Sequence, residues 1–405
     1  MLQQFLTVGT EARRLGDMAL MEQYDILLKG GHVIDPQNGV NTPMDVAISG
    51  DKIAAVAEDI SPSSSRKTVD VTGYYVTPGL IDLHVHLYGY EGSLLPDGYA
   101  LPNGATTVVD AGGAGWRNFE DFKNKVIFPT QGLPTKTRVL AFLNIVGAGM
   151  LGFVEQNVQD MDPEPAAEMV MRYPDILLGI KSAHFMGPGW EAVDSAVRAG
   201  ELSNTPAMFD VRPLPTRSYE DLLLNHLRPG DILTHMYSPM YPLLDEQGRI
   251  NRCALEARER GVLFDVGHGV GSFVFKHAVP AIKQGFLPDT ISTDLHRSSR
   301  LIPNATLMAT MSKFLNMGLS LEEVVRRTTI TPAQAIHHPE LGHLSVGACA
   351  DVAVLQILEG DFGFVDVNRT RLRGSRKLEC VLTIRAGEIV WDLNGISCPD
   401  WQAAS

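Results

Sequence analysis

The sequence predicts a parallel (β/α)8 barrel flanked by a small composite β-sandwich built from both ends of the chain. Three observations carry this. Between Val76 and Asp294, eight short apolar strands alternate with helical stretches, the rhythm of a barrel with a parallel sheet. On either side, residues 24–74 and 342–395 read instead as short strands joined by tight turns. Finally, histidine, lysine and aspartate recur at the last positions of the barrel strands, where such barrels place their catalytic groups.

The length of 405 residues and a hydrophobic fraction of 44% suffice for a large core. The net charge of −13 is spread without runs of like charge, which argues against nucleic acid or anionic membrane as a partner. Cys253, Cys349, Cys380 and Cys398 form no Cys-x-x-Cys pair, so a disulfide framework or thiolate zinc site is not expected and a reducing cytoplasm fits. No apolar run approaches the ~20 residues of a membrane span. Residues 1–23 lack the order of a signal peptide; they read either as an N-terminal helix or as an extension ahead of a start at Met18 or Met21.

From Tyr24 the strands Tyr24–Lys29, His32–Asp35, Met44–Ile48 and Lys52–Val56 are punctuated by glycine and aspartate, as hairpins are. Thr68–Val71 leads into the stretch Val76–Leu87, which opens the barrel, residues 75–341. Its Pro78-Gly79 marks an entry turn, and Leu80, Ile81, Leu83 and Val85 suit a buried strand. The next strands are expected at Thr106–Asp110, Arg138–Asn144, Ile176–Lys181, Pro206–Asp210, Asp231–His235, Val262–Gly267 and Thr290–Asp294. Helices are expected between them, among others at 165–172, 219–227, 252–260 and 273–284. Residues 342–355 and the hairpin at 378–391 complete the β-domain, with a tail at 396–405. Gly112-Gly113-Ala114-Gly115 fails the fingerprint of a phosphate loop and reads as a flexible loop.

The strand ends carry His84 and His86, Lys181, Asp210, His235 and Asp294. An apolar strand does not take such residues into a core without partners. Imidazoles two apart on a strand face the same side and can reach one metal ion.

With these residues in view the chain resembles the amidohydrolase superfamily of metal-dependent hydrolases. Pro78-Gly79-Leu80-Ile81-Asp82-Leu83-His84-Val85-His86 is similar to that family's first-strand motif. Gly179-Ile180-Lys181, Thr234-His235 and Ser292-Thr293-Asp294 are similar to its fourth-, sixth- and eighth-strand motifs, and residues 344–351 to its return into the β-domain. The resemblance implies one or two divalent metals, zinc first, with manganese or iron as alternatives. His84, His86 and Asp294 would bind the first. A CO2-derived carbamate on Lys181, His235 and a fifth-strand ligand would bind the second. The family's usual residue at that fifth-strand place is histidine, and this chain has Asp210. His184, three residues past Lys181, reads equally as a substitute ligand, a supporting partner or a plain loop histidine.

The nearest branch resembles bacterial deacetylases often labelled dihydroorotase or adenine deaminase. Dihydroorotases carry an arginine two residues after the second histidine, where this chain has Tyr88, and the adenine deaminase group uses a glutamate where this chain has Lys181. The expected reaction is removal of an acetyl or similar acyl group from a small carboxylated ester or N-acyl compound by metal-bound hydroxide, with Asp294 as proton shuttle. Tyr88, Asn144, Tyr237, His268 and Arg297, in strand-end loops, are the expected substrate contacts; His268 reads equally as structural, and Arg297 as pairing with a substrate carboxylate or in a surface salt bridge. The alternatives are a cyclic amidohydrolase of the dihydroorotase or hydantoinase kind, or a metal-depleted scaffold. A cytoplasmic homo-oligomer is expected.

Overall fold

The structure, a computed structural model, describes residues 23–151 and 155–402. The first 22 residues, weighed above as a helix or an extension, lie outside the described residues. Five strands come first: β1 (Tyr24–Asp35), β2 (Val40–Ser49), β3 (Lys52–Ala57), β4 (Ser65–Asp70) and β5 (Tyr75–Pro78). The barrel follows with β6 (Leu80–Val85), β7 (Ala105–Gly115), β8 (Arg138–Asn144), β9 (Leu177–Ala183), β10 (Ala207–Asp210), β11 (Ile232–Leu233) and β12 (Leu263–Phe264). After five helices the chain returns as β13 (Val352–Val365), β14 (Arg371–Arg385) and β15 (Glu388–Asp392).

The strands from the two chain ends form one sheet in the order β15-β14-β13-β5-β1-β2-β3, and β4 branches from β1. The first part of β1 pairs in parallel with β4 and its later part with β5. Val33, Val46 and Val76 from the first half meet Val352, Val354 and Leu382 from the second in one buried cluster. The opening stretch therefore divides. Residues 75–78 belong to the β-domain, paired with β1 and β13. At Gly79 the chain changes partner: its N–H donates to Asp351 O, and the next N–H, of Leu80, donates to Gly104 O at the foot of the barrel. The proline just before this point cannot donate to a ladder, which suits a place where one sheet ends.

The barrel sheet runs in sequence order from β6 to β12, all parallel. Its eighth stave, expected at Thr290–Asp294, is not a regular strand. It closes the ring through two parallel bridges, Asp265 with Thr290 and Val85 with Leu295. Leu83, Val109, Leu140, Phe142, Leu178, Met208 and Ile232 form one buried cluster drawn from six successive strands, which places it inside the ring, with Ile336 at its lower end. The second strand is longer than expected. It absorbs Gly112–Gly115, which are buried strand residues rather than a flexible loop. Residues 222–226 of the expected helix 219–227 are wound as a wider turn. No described helix is long and apolar enough to cross a membrane.

Candidate active site

The C-terminal ends of β6, β9, β10, β11 and the closing stave meet at one mouth. His84 and His86 stand at the end of β6 with ring centres 5.4 Å apart. Both turn Nε2 to Asp294 Oδ1, at 3.6 Å and 2.9 Å. Among the described residues this trio is the group whose ligand atoms lie within 4.8 Å of one another, the spacing that could hold a metal ion. The tether of His84 fixes its tautomer. Its Nδ1 lies 2.9 Å from Thr234 Oγ1, and the Thr234 hydroxyl donates to Asp265 Oδ2 at 2.8 Å, so Nδ1 must be the donor and Nε2 keeps its lone pair. Asp265 is buried and also accepts from Thr290 and Ser292. From the other side, Asp82 accepts the Thr293 N–H at 3.0 Å and its hydroxyl at 2.7 Å, fixing the residue before Asp294.

The opposite half of the mouth holds Lys181, Asp210 and His235. Lys181 Nζ is buried and has no hydrogen-bond partner. Burial lowers its pKa against the pull of Asp210, Asp294 and Asp265. His235 Nδ1 donates to Gly267 O at 2.6 Å, which turns Nε2 to Asp210 Oδ2 at 3.5 Å. His184 comes to the same oxygen, with Nε2 at 3.4 Å. Its Nδ1 is 2.8 Å from Glu155 Oε2. Burial opposes charge on His184, but the bond to Glu155 and the charge of Asp210 outweigh it and push its pKa up to about 9. Burial likewise pushes the Asp294 carboxyl up, while the hydrogen bond and charge of His86 win and hold it below the ordinary range.

Three of these residues, His184, His235 and Asp294, sit at φ of 55°, 64° and 48°. Left-handed backbone is strained for residues other than glycine and clusters at functional sites. These observations fit a divalent metal: two imidazole nitrogens with fixed lone pairs, carboxylate oxygens between them, and a buried amine without a partner.

The substrate contacts expected from sequence are placed less uniformly. Arg297 is exposed at the rim, its N–H donating to Gly92 O, and its guanidinium makes no hydrogen bond or ion pair among the described residues. Asn144 is buried and donates to Gly112 O and Glu155 Oε1. The Tyr88 hydroxyl is taken by Asp121 at 2.6 Å and its ring lies on Phe122. Two of the expected contacts are packed among aromatic rings. His268 is fully buried, stacked on Phe273 with Nε2 2.7 Å from Lys313 Nζ. Glycines at φ 45° and 50° on either side turn its ring into the core rather than the mouth. Tyr237 is also fully buried, packed between Phe273 and Phe314, and its carbonyl accepts the Val274 N–H.

Tyr90 and His296 were not singled out from sequence. The Tyr90 ring lies 4.5 Å from that of His86 and 5.2 Å from that of His296. Burial, then the charges of Asp294, Glu155 and Asp210, push its hydroxyl up to about 12, so it stays protonated over the mouth. Its signal was a tyrosine four past His86 between glycines; Glu155 offered none, since its partner is brought by a separate loop.

The amidohydrolase family profile matches residues 289–391. A deacetylase of Agrobacterium fabrum is 33% identical over 354 residues, covering 83% of this chain and 84% of that protein. A deacetylase of Enterococcus faecalis is 30% identical over 380 residues, covering 90% and 99%. A crystal structure of an adenine deaminase superposes with a TM-score of 0.83 at 29% identity, covering 91% of this chain and 100% of that one. The chain belongs to the amidohydrolase superfamily. It is a metal-dependent hydrolase.

Proposed function

We propose that this enzyme removes an acetyl or similar small acyl group from a carboxylated ester or N-acyl compound, such as an acetylated 2-hydroxy acid or an N-acetyl-amino acid. The observation that carries the reading is the convergence of His84, His86 and Asp294 beneath a rim bearing the unpaired guanidinium of Arg297. The deacetylases named above support the reaction class. Lys181 in place of a glutamate speaks against the deaminase chemistry named for the structural neighbour.

His84, His86 and Asp294 would hold one divalent ion, zinc first, and the Lys181 side with His235 and Asp210 a second. Such an ion supplies Lewis acidity, lowering the pKa of bound water and polarising an acyl carbonyl. The protein supplies the rest. Asp294 Oδ1 faces both imidazoles, while Oδ2 turns towards Gly269, where a Cβ would lie 2.2 Å away. The carboxylate accepts the proton released by the attacking water and returns it to the leaving alkoxide or amine. The unprotonated amine of Lys181 would add CO2 at Nζ, an N–C bond forming as one C–O π bond opens and one proton leaves, which converts a neutral amine into an anionic oxygen donor. Arg297 receives the substrate carboxylate.

A panel of N-acetyl-amino acids and acetylated 2-hydroxy acids, both enantiomers of each, tests the reading on metal-loaded protein. Acetate release from carboxylated members, falling at least tenfold in Arg297→Met, is expected. Absence of acyl hydrolysis across the panel, with turnover of a cyclic amide instead, would overturn it.

A further inference from the structure

The fifth-strand position leaves the second half of the centre one imidazole short of the family's usual set. We propose that His184, a residue of the loop after β9, supplies that imidazole, so that the second metal is held by His184, His235 and Asp210 beside Lys181. The inference rests on the hydrolase reading only in taking the centre to bind metal.

The argument is geometric. Both imidazoles present Nε2 to the same atom, Asp210 Oδ2, at 3.4 Å and 3.5 Å. Both have Nδ1 committed elsewhere, to Glu155 Oε2 at 2.8 Å and to Gly267 O at 2.6 Å. An imidazole that donates through Nδ1 has only a lone pair at Nε2 when neutral. Each Nε2–Asp210 contact has room for one cation between imidazole and carboxylate, a proton when no metal is bound and a divalent ion when one is. Two ligand atoms on a tetrahedral ion with bonds of ~2.1 Å sit about 3.4 Å apart, the separation observed here. A carboxylate behind the imidazole, as Glu155 stands behind His184, is the usual arrangement at metal-bound histidine. The backbone agrees: His184 and His235 are both held at left-handed φ, 55° and 64°. Lys181 Nζ, buried without a partner, is the remaining unsatisfied group on this side.

The set as a whole is more open than the His84–His86–Asp294 trio, which alone among the described residues meets the 4.8 Å spacing. The second ion is therefore the weaker bound. It should leave first as a chelator is titrated.

Counting metal tests this without reference to activity. Protein produced with supplemented zinc, freed of loose metal by gel filtration, should carry two equivalents per chain. His184→Asn should carry one. Asparagine is the replacement of choice, because it tolerates the left-handed backbone that His184 adopts. Glu155→Gln, which keeps every ligand, should weaken the second equivalent roughly 10–100-fold and leave the first unchanged. In cobalt-substituted protein the same variants should lose one part of the visible absorption. Two equivalents in both wild type and His184→Asn would overturn the assignment of His184. So would one equivalent in both, and in that case the hydrolase reading stands on the first site. No bound metal in the wild type would overturn both together.

Discussion

Asp294 is asked to do two things at once, bind a cation through Oδ1 and handle a proton. Its backbone shows the constraint: φ is 48°, and Ser299 donates to its carbonyl at 3.0 Å while Asp82 locks Thr293 before it. Asp294→Asn keeps the shape and removes the base, so turnover should fall 10²–10⁴-fold, read from initial rates on a substrate found in the panel. The hydroxyl of Thr234 works at one remove. Thr234→Val is nearly isosteric but leaves His84 Nδ1 and Asp265 without their shared partner, and first-site affinity should fall about 10–100-fold in a competition titration against a chromophoric chelator. At this scale the sequence was readable where a residue's place follows from its strand position. His84, His86, Lys181, Asp210, His235 and Asp294 all end barrel strands, and the structure brings them to one mouth. Tyr237 and His268 follow the same positional rule and yet face inward. Whether a loop side chain turns to solvent or to core depends on the φ of neighbouring glycines, and sequence does not specify that.

At the scale of elements, two strands set the centre's geometry from behind. On β7, Gly112 passes so close to Lys181 that a Cβ would lie 2.6 Å from its Cγ, and Gly112 has φ 87°. Gly112→Ala should thus cost about 1–3 kcal/mol, measurable as a lower urea midpoint, and displace the amine. Behind β12, Lys313 on the helix Leu307–Asn316 donates to His268, and its neighbour Ser312 donates from its hydroxyl and accepts the Leu378 N–H of β14. Burial pushes the Lys313 pKa from 10.5 down to about 7. Between those two values the unfolded chain binds more protons than the folded one, so this lysine makes stability rise with pH across that window. Lys313→Met should remove that slope, seen in denaturation curves at pH 7, 8.5 and 10. The long β13–β14 hairpin was foreseen only at its open end, residues 352–355 and 378–385. Residues 359–363 and 371–374 mix charge and glycine, and they become strand only because each supplies the other's ladder.

For the molecule as a whole, the barrel was legible because its period of strand and helix repeats, and the β-domain because its strands are short and turn-bound. The last three staves were expected at the right places but not their weakness: β11 and β12 are two residues each, and the eighth is held by single bridges. Those staves carry His235 and Asp294, so stability and metal content should be coupled. A metal present at 100 times its Kd adds about 2.7 kcal/mol to the folded state. Chelation should accordingly lower Tm and abolish activity, and both should return when zinc is restored; a Tm indifferent to chelator would mean the ring closes without it.

The sheet that joins the chain ends also sets a timetable. β5 is made early, yet its second neighbour, β13, emerges only after the whole barrel has been synthesised. At 5–20 residues per second that wait lasts roughly 15–55 s. During it the nascent chain exposes an unpaired strand edge of the kind that recruits other chains. Translation that stalls before Val352 should yield aggregates rather than a soluble barrel, and slowing the ribosome over the last helices should lower the yield of active enzyme.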